Sequence, residues 1–146
     1  MNIESVFNTE LEAGIRTIAV LDAIYPLSID FESLTKADFI IINSGDFGGP
    51  DSIHPSTPNK IGELATRREI IRTGIKLMRR FGMIDVIPTN DGVKYKATQN
   101  AYPYLKLMRC KYSKRIIALA QWFSQEIQAN EFKKFDLILS EMSRYE

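Results

Sequence analysis

An amphipathic segment at residues 63–81, followed directly by a hairpin signal, most limits what this chain can fold into. Its apolar side chains recur at helical spacing and cover roughly half of the helix circumference. Gly82 follows, a residue that commonly ends a helix. Asp91-Gly92, between two short alternating runs, is a strong signal for a tight turn between antiparallel strands. The pattern predicts a helix and then a two-stranded hairpin.

The hairpin is predicted to pair residues 83–88 with residues 93–98. Side chains alternate between the two faces of a strand, so the apolar ones collect on one face. Lys94 and Lys96 then lie on the outer face. The inward set is Ile84, Val86, Val93, Tyr95 and Ala97.

Two helices are predicted upstream of this unit. The first covers residues 7–24, with Asn8 or Thr9 as its cap, and Tyr25-Pro26 ends it because proline disfavours helix in the preceding residue. The second follows Asp30; its apolar tail at residues 39–42 is compatible with helix or strand, and helix is preferred. The predicted buried residues are Phe7, Leu11, Ile15 and Ile18 in the first helix, and Phe31, Leu34, Ala37 and Ile41 in the second.

Residues 44–62 separate these helices from the amphipathic one. This stretch holds four glycines and three prolines without any period, so it is predicted to be a loop. Connections of this length inside a compact domain are uncommon and often functional. Further helices are predicted around Tyr104–Met108, from Ser113 onward, and through the row Phe132, Phe135, Leu139 and Met142.

The predicted fold is mainly α with a small β-hairpin (α+β). Residues 1–98 would form a winged helix-turn-helix-like core with the long Gly/Pro loop at 44–62. Residues 99–146 would form a C-terminal helical extension of the same domain. The residue pattern is compatible with two roles for the helices from Ser113 onward: they complete the core, or they form a docking surface.

Charge is distributed unevenly along the chain. Residues 1–60 carry nine acids and three bases, whereas residues 61–115 carry four acids and thirteen bases. The third helix of a winged helix commonly enters the major groove, and its bases would meet phosphates there. The alternative is that these charges pair with one another or are simply solvated. The predicted double-stranded DNA contacts, weak and non-specific, are Arg72, Lys76, Arg79, Arg80, Lys94 and Lys96.

The composition argues against several other functions. His54 is the only histidine, and a set drawn from Ser44 or Ser52, His54 and Asp46 or Asp51 lacks a nucleophile elbow. No metal-ligand spacing and no phosphate-binding glycine motif occurs, so neither an enzyme nor a cofactor is expected. No apolar run approaches the ~20 residues of a membrane span. The single cysteine, Cys110, indicates a reducing cytoplasm.

Four stretches of the chain together resemble a known family: FNTELEAGIRTIAVLDAIYP, SGDFGGPDSIHPSTP, GELATRREIIRTGIKLMRRFGMI and DGVKYKAT. Across roughly residues 6–125 the chain is similar to the middle component of ABC-type three-component systems, which is encoded beside an SMC-like ATPase in Lamassu-type bacterial defence. The resemblance implies a non-catalytic adaptor subunit that partners an SMC/ABC-type ATPase subunit and an effector subunit. A free-standing winged-helix transcription regulator is the alternative hypothesis.

The resemblance also implies a set of partner-contacting residues. Two hypotheses describe their role: these residues contact the ATPase, or they support the hairpin. Arg67 projects into the apolar arc of its helix, so the residue pattern predicts a buried ion paired with Glu63 one turn earlier. The implied residues are Gly48, Gly49, Pro50, His54, Pro55, Glu63, Arg67 and Arg68.

Overall fold

A computed structural model describes residues 9–53 and 60–145 of the chain. The predicted class, mainly α with a small β part, is confirmed. Phe7, Asn8, His54 and Pro55 lie outside the described residues. In chain order the elements are α1 (Glu10–Ala23), β1 (Ile29–Asp30), α2 (Phe31–Ile42), a 3-10 helix (Ser44–Phe47), α3 (Lys60–Arg80), β2 (Ile84–Thr89), β3 (Gly92–Ala97), α4 (Ala101–Lys106), α5 (Lys111–Asn130) and α6 (Lys133–Tyr145).

Helix α1 is the central element of the core. Every residue from Ala13 to Leu21 is buried, because α1 is packed against α3 and α5. Thr9 caps the helix as predicted, since its hydroxyl accepts a hydrogen bond from the backbone N–H of Glu12. The prediction that Leu11 is buried is wrong: its side chain is 48% exposed, because it lies in the first turn, before the buried stretch begins.

Helices α1 and α3 cross at two glycines. A Cβ at Gly74 would lie 2.8 Å from the backbone nitrogen of Gly14 and 2.9 Å from the carbonyl carbon of Ala13. Such a separation is impossible for a real side chain, so glycine at this position allows the two backbones to touch. The crossing brings the long basic helix against the centre of the core.

The tail of α2 is helical, as predicted. Residues 39–42 are all fully buried, which explains why they are apolar all round and carry no one-sided pattern. Asp30 caps α2 by accepting a hydrogen bond from the N–H of Ser33 at 2.8 Å. The asparagine after the tail, Asn43, is itself buried and donates to the carbonyl of Phe39.

The sheet has three antiparallel strands in the order β1-β3-β2, not the two that were predicted. The additional strand, β1, has only two residues, so it carries no readable alternation in sequence. It pairs with the central strand through Ile29 opposite Tyr95. The predicted inward face is confirmed at Ile84 and Ala97, which are buried cross-strand partners, but Val93 near the tip is 44% exposed.

The predicted loop at 44–62 is too long. Its first residues form the 3-10 helix, and α3 begins at Lys60, before the predicted start at residue 63. A single 3-10 turn leaves no periodic signal. The turn is stabilised by burial of the Phe47 side chain. Phe47 is completely buried and contacts Phe39 edge to face, with 6.0 Å between the ring centroids.

Helices α5 and α6 complete the core. Phe123 and Phe135 stack with centroids 5.7 Å apart, and both side chains are fully buried. Phe135 also meets Phe47 edge to face, which links α6 to the 3-10 helix. Ser124 of α5 donates to the carbonyl of Ala23 and so satisfies the last turn of α1.

Candidate nucleic-acid interface and its supporting network

A row of cations follows the outer side of α3. We define the basic stripe as Arg68, Arg72, Lys76, Arg79 and Arg80, all of them exposed. The first four are separated by four, four and three residues, which places them along one face of a helix. The structure therefore brings together the four α3 residues predicted to contact DNA, and adds Arg68.

The stripe is engaged at its N-terminal end. Arg68 meets Glu32 of α2 through two contacts, Nη1 to Oε1 at 2.5 Å and Nη2 to Oε2 at 2.8 Å. Arg72 lies 4.6 Å above the Phe31 ring and 3.4 Å from a carboxylate oxygen of Glu69. These contacts fix the direction of both guanidinium groups.

The C-terminal end of the stripe carries uncompensated charge. Among residues 9–53 and 60–145, Lys76, Arg79 and Arg80 make no ion pair. The alternative of mutual charge pairing thus applies to the first two turns of the stripe and not to its last two. Three neighbouring cations at a helix surface are suited to bind a polyanion.

The hairpin lysines are in a different environment. Lys94 is the cross-strand partner of Asp30, and Lys96 is the partner of Asp85. The ammonium of Lys96 also lies 5.5 Å from the centre of the Tyr25 ring. The N–H of Ser33 lowers the pKa of Asp30, and Lys94 contributes to this shift, so the carboxylate stays charged beside the lysine. The outer face of the sheet therefore has nearly balanced charge.

A buried ionic network lies behind the stripe. Asp38 of α2 accepts from Arg16 Nε at 2.6 Å and from Arg67 Nη1 at 3.1 Å. Arg67 also donates to Glu63 at 3.3 Å, which confirms the predicted pair. All three side chains at the centre are at most 3% exposed, so the carboxylate joins α1, α2 and α3.

The environment keeps the central arginine charged. Burial by itself lowers the pKa of Arg16, but Asp38 and the hydroxyl of Tyr112, which accepts at 3.0 Å, outweigh that effect and raise it above its ordinary value. Burial raises the pKa of Glu12 nearby, against the opposing charge of Arg16. The sequence pattern identified Arg67 and Glu63 but missed Asp38, because Asp38 lies on another helix and only tertiary packing brings it to Arg67.

The described part of the Gly/Pro loop lies on the C-terminal helices. Gly49 lies against the indole of Trp122 so closely that a Cβ there would overlap the ring. A Cβ at Gly48 would lie 3.4 Å from the ammonium of Lys134. The carbonyl of Pro50 accepts from the Ser44 hydroxyl at 2.8 Å. This segment is held by the chain itself, and contact with a partner stays a prediction.

Comparison with known proteins identifies the family. The model of the family described as "ABC-three component (ABC-3C) system Middle Component 2" matches residues 6–145. The chain belongs to the Middle Component 2 family. The resemblance to a middle component is confirmed, whereas the Lamassu-type assignment stays a prediction. Searches of curated proteins and of solved structures return no match.

Membership of the Middle Component 2 family implies that the chain partners other components of a three-component system. Within the described ranges, no helix has the length and apolar character that a membrane crossing requires. The same ranges contain no cluster of three or more histidine, cysteine or carboxylate side chains that suits a metal ion.

Proposed function

We propose that this Middle Component 2 chain is a non-catalytic adaptor. It would join an SMC/ABC-type ATPase subunit to an effector subunit in a bacterial system that defends against phage or plasmids. Family membership supports the partnership with other components. The exposed basic stripe on α3 supports the second part of the proposal, which is weak and non-specific contact with double-stranded DNA.

The position of the stripe supports DNA contact. We propose that α1, β1, α2, α3 and the β2-β3 hairpin act as a winged-helix unit in which α3 approaches the duplex. The stripe offers arginine and lysine side chains to phosphates. It has no asparagine or glutamine, the residues that most often recognise adenine edges. We therefore expect phosphate binding with little sequence preference.

Two contacts support a non-catalytic role for the loop serines. The Ser44 hydroxyl donates to the Pro50 carbonyl, and the Ser52 hydroxyl accepts from the N–H of Gly45 at 2.9 Å. Both hydroxyls thereby hold the loop in place. We assign them to loop structure and not to nucleophilic chemistry.

The salt dependence of DNA binding tests the proposal. Removal of Lys76 and Arg79 in a Lys76→Ala/Arg79→Ala variant should weaken binding to a labelled 20-base-pair duplex at low salt. The slope of log K against log salt should fall in magnitude by about 1.8, or ~0.9 for each lost phosphate contact. Fluorescence anisotropy at several salt concentrations measures both quantities, for the chain alone and for the chain assembled with its partners.

The matched control is Lys133→Ala/Arg144→Ala, which removes two exposed cations from α6. The control should bind like the unmodified chain. Equal binding by both variants would exclude α3 as the DNA surface. A stable homodimer that strongly prefers one duplex sequence would favour the regulator hypothesis instead, because palindromic operators mirror protein symmetry.

A further inference from the structure

A groove separates the end of α1 from α4 and α5, on a part of the surface that the basic stripe does not include. It consists of two adjoining depressions that share Asp22, Tyr102 and Gln121. The depression next to Leu105 has a volume of about 260 Å³. Its apolar lining comes from Ala19, Leu105, Met108 and Ile117.

The groove and its edge expose apolar side chains to solvent. Tyr102 is 56% exposed within the groove, and Leu107, directly after α4, is 68% exposed. Helix α4 has only six residues, and its Ala101 and Leu105 already face the core. Tyr102 lies on the other side of the helix, where the Lys106 ammonium contacts its ring at 5.3 Å from the centre and more than half of the side chain reaches solvent. Clustered apolar surface with a polar rim is typical of an interaction site.

The rim of the groove is basic. Lys106 and Lys114 line it, Arg109 lies on the turn between α4 and α5, and Lys111 is the first residue of α5. None of these four cations forms an ion pair with another residue in the described ranges. The chain has no acidic residue between Asp91 and Glu126. No carboxylate close in sequence therefore compensates the positive charge of the rim. Asp22 is the one acid among the residues that line the groove.

We infer that this groove binds an acidic amphipathic helix of another component of the three-component system. The apolar face of such a helix would cover Tyr102, Met108 and Ile117, and its carboxylates would face the lysines. A duplex is the less suitable occupant, because its phosphate backbone offers no apolar surface to this lining. The inference rests on the proposed adaptor function and adds the surface and the chemistry of the partner.

Site-specific photo-crosslinking tests the inference. A benzophenone amino acid replaces Tyr102 in the full chain, which is co-expressed with the other components of its three-component system. After irradiation, mass spectrometry should identify a crosslinked partner segment with apolar residues at helical spacing and an excess of aspartate and glutamate. The same photoreactive residue in place of exposed Gln128, near the far end of α5, is the control and should not crosslink to that segment.

Charge reversal provides the second measurement. A Lys106→Glu/Lys114→Glu variant should retain at least tenfold less of the co-expressed partner in a pull-down. Lys133→Glu/Arg144→Glu, the matched reversal on α6, should retain it fully. Circular dichroism should give the same melting temperature for both, since all four side chains reach solvent.

The outcomes separate the two proposals. If the unmodified chain co-purifies with no component, the adaptor function itself is wrong. If the assembly forms but position 102 crosslinks to a second copy, to DNA, to a segment without acidic excess, or to nothing, the groove inference is wrong and the adaptor function stands. Retention of a small molecule in the groove, seen as a mass shift in native mass spectrometry, would also overturn it.

Discussion

Asp38 shows how much one buried side chain can determine. Its two carboxylate oxygens accept from two arginines of different helices, and none of the three side chains is more than 3% exposed. A buried ion pair contributes little net stability compared with apolar residues of the same volume, but loss of one partner leaves an uncompensated charge. Arg67 also pairs with Glu63, but Asp38 is the carboxylate that contacts both arginines.

Asp38→Asn is therefore expected to lower the free energy of unfolding by about 3–5 kcal/mol. The amide keeps the shape of the carboxylate but leaves the charges of Arg16 and Arg67 buried. Urea unfolding followed by circular dichroism measures the loss. Glu32→Gln is the control, because it breaks the exposed Arg68 pair and should cost no more than ~1 kcal/mol. Equal losses in the two variants would show that Arg16 and Arg67 find other compensation.

At the scale of elements, the contact between the Gly/Pro loop and α5 explains two residues at once. Trp122 is half buried between Gly49 and the Phe135 ring. Only a residue without a side chain fits against the indole at position 49. The glycine thus serves the packing of the loop on the C-terminal helices.

Gly49→Ala should detach this part of the loop from α5. The added methyl group would overlap the indole, and overpacking of this kind typically costs about 1–3 kcal/mol. Trp122 is the only tryptophan, so all tryptophan emission comes from this position and should shift to longer wavelength as water reaches the ring. Pro50→Ala is the control. Because the Pro50 side chain is exposed, this substitution should leave the emission of Trp122 unchanged. An unchanged spectrum for Gly49→Ala would contradict the contact.

At the scale of the whole molecule, the predicted core at 1–98 and the predicted extension at 99–146 share one apolar interior. Phe47 and Phe135 come from opposite sides of that boundary and meet edge to face. The carbonyl of Ala23 in α1 is satisfied by Ser124 of α5. Elements that depend on one another in this way are expected to unfold together.

Phe135→Ala should accordingly destabilise the entire chain by about 3–5 kcal/mol, the usual cost of emptying a buried aromatic site. Trp122 fluorescence and far-ultraviolet circular dichroism should give one coincident urea transition before and after the change. Leu137→Ala in the same helix is the control, since Leu137 is 69% exposed and the change should stay within ~0.5 kcal/mol. Two separated transitions would mean that the C-terminal helices form an independent unit.

Local patterns were sufficient to predict much of the fold. The periodicity of α1, α2, α3 and α5, the cap at Thr9, the start of α2 after Asp30, the stop at Gly82 and the turn at Asp91-Gly92 each depend on residues a few positions apart. Gly82 adopts a φ of +75°, a conformation that glycine reaches without strain. The basic stripe on α3 was predictable for the same reason, because helical spacing alone places its members on one face.

Tertiary structure decided what depends on residues distant in sequence. The strand β1 exists because Ile29 meets Tyr95, and the charge of Lys94 and Lys96 is balanced because Asp30 and Asp85 lie opposite them. The pairing of Arg67 with Asp38, the contact of Gly49 with Trp122 and the groove beside α4 arise in the same way. The sequence by itself determined the helices, the hairpin and the basic face of α3, since these follow from short-range periodicity and turn chemistry. Which charges remain uncompensated, and which apolar surface remains uncovered, was decided only when packing brought distant segments together.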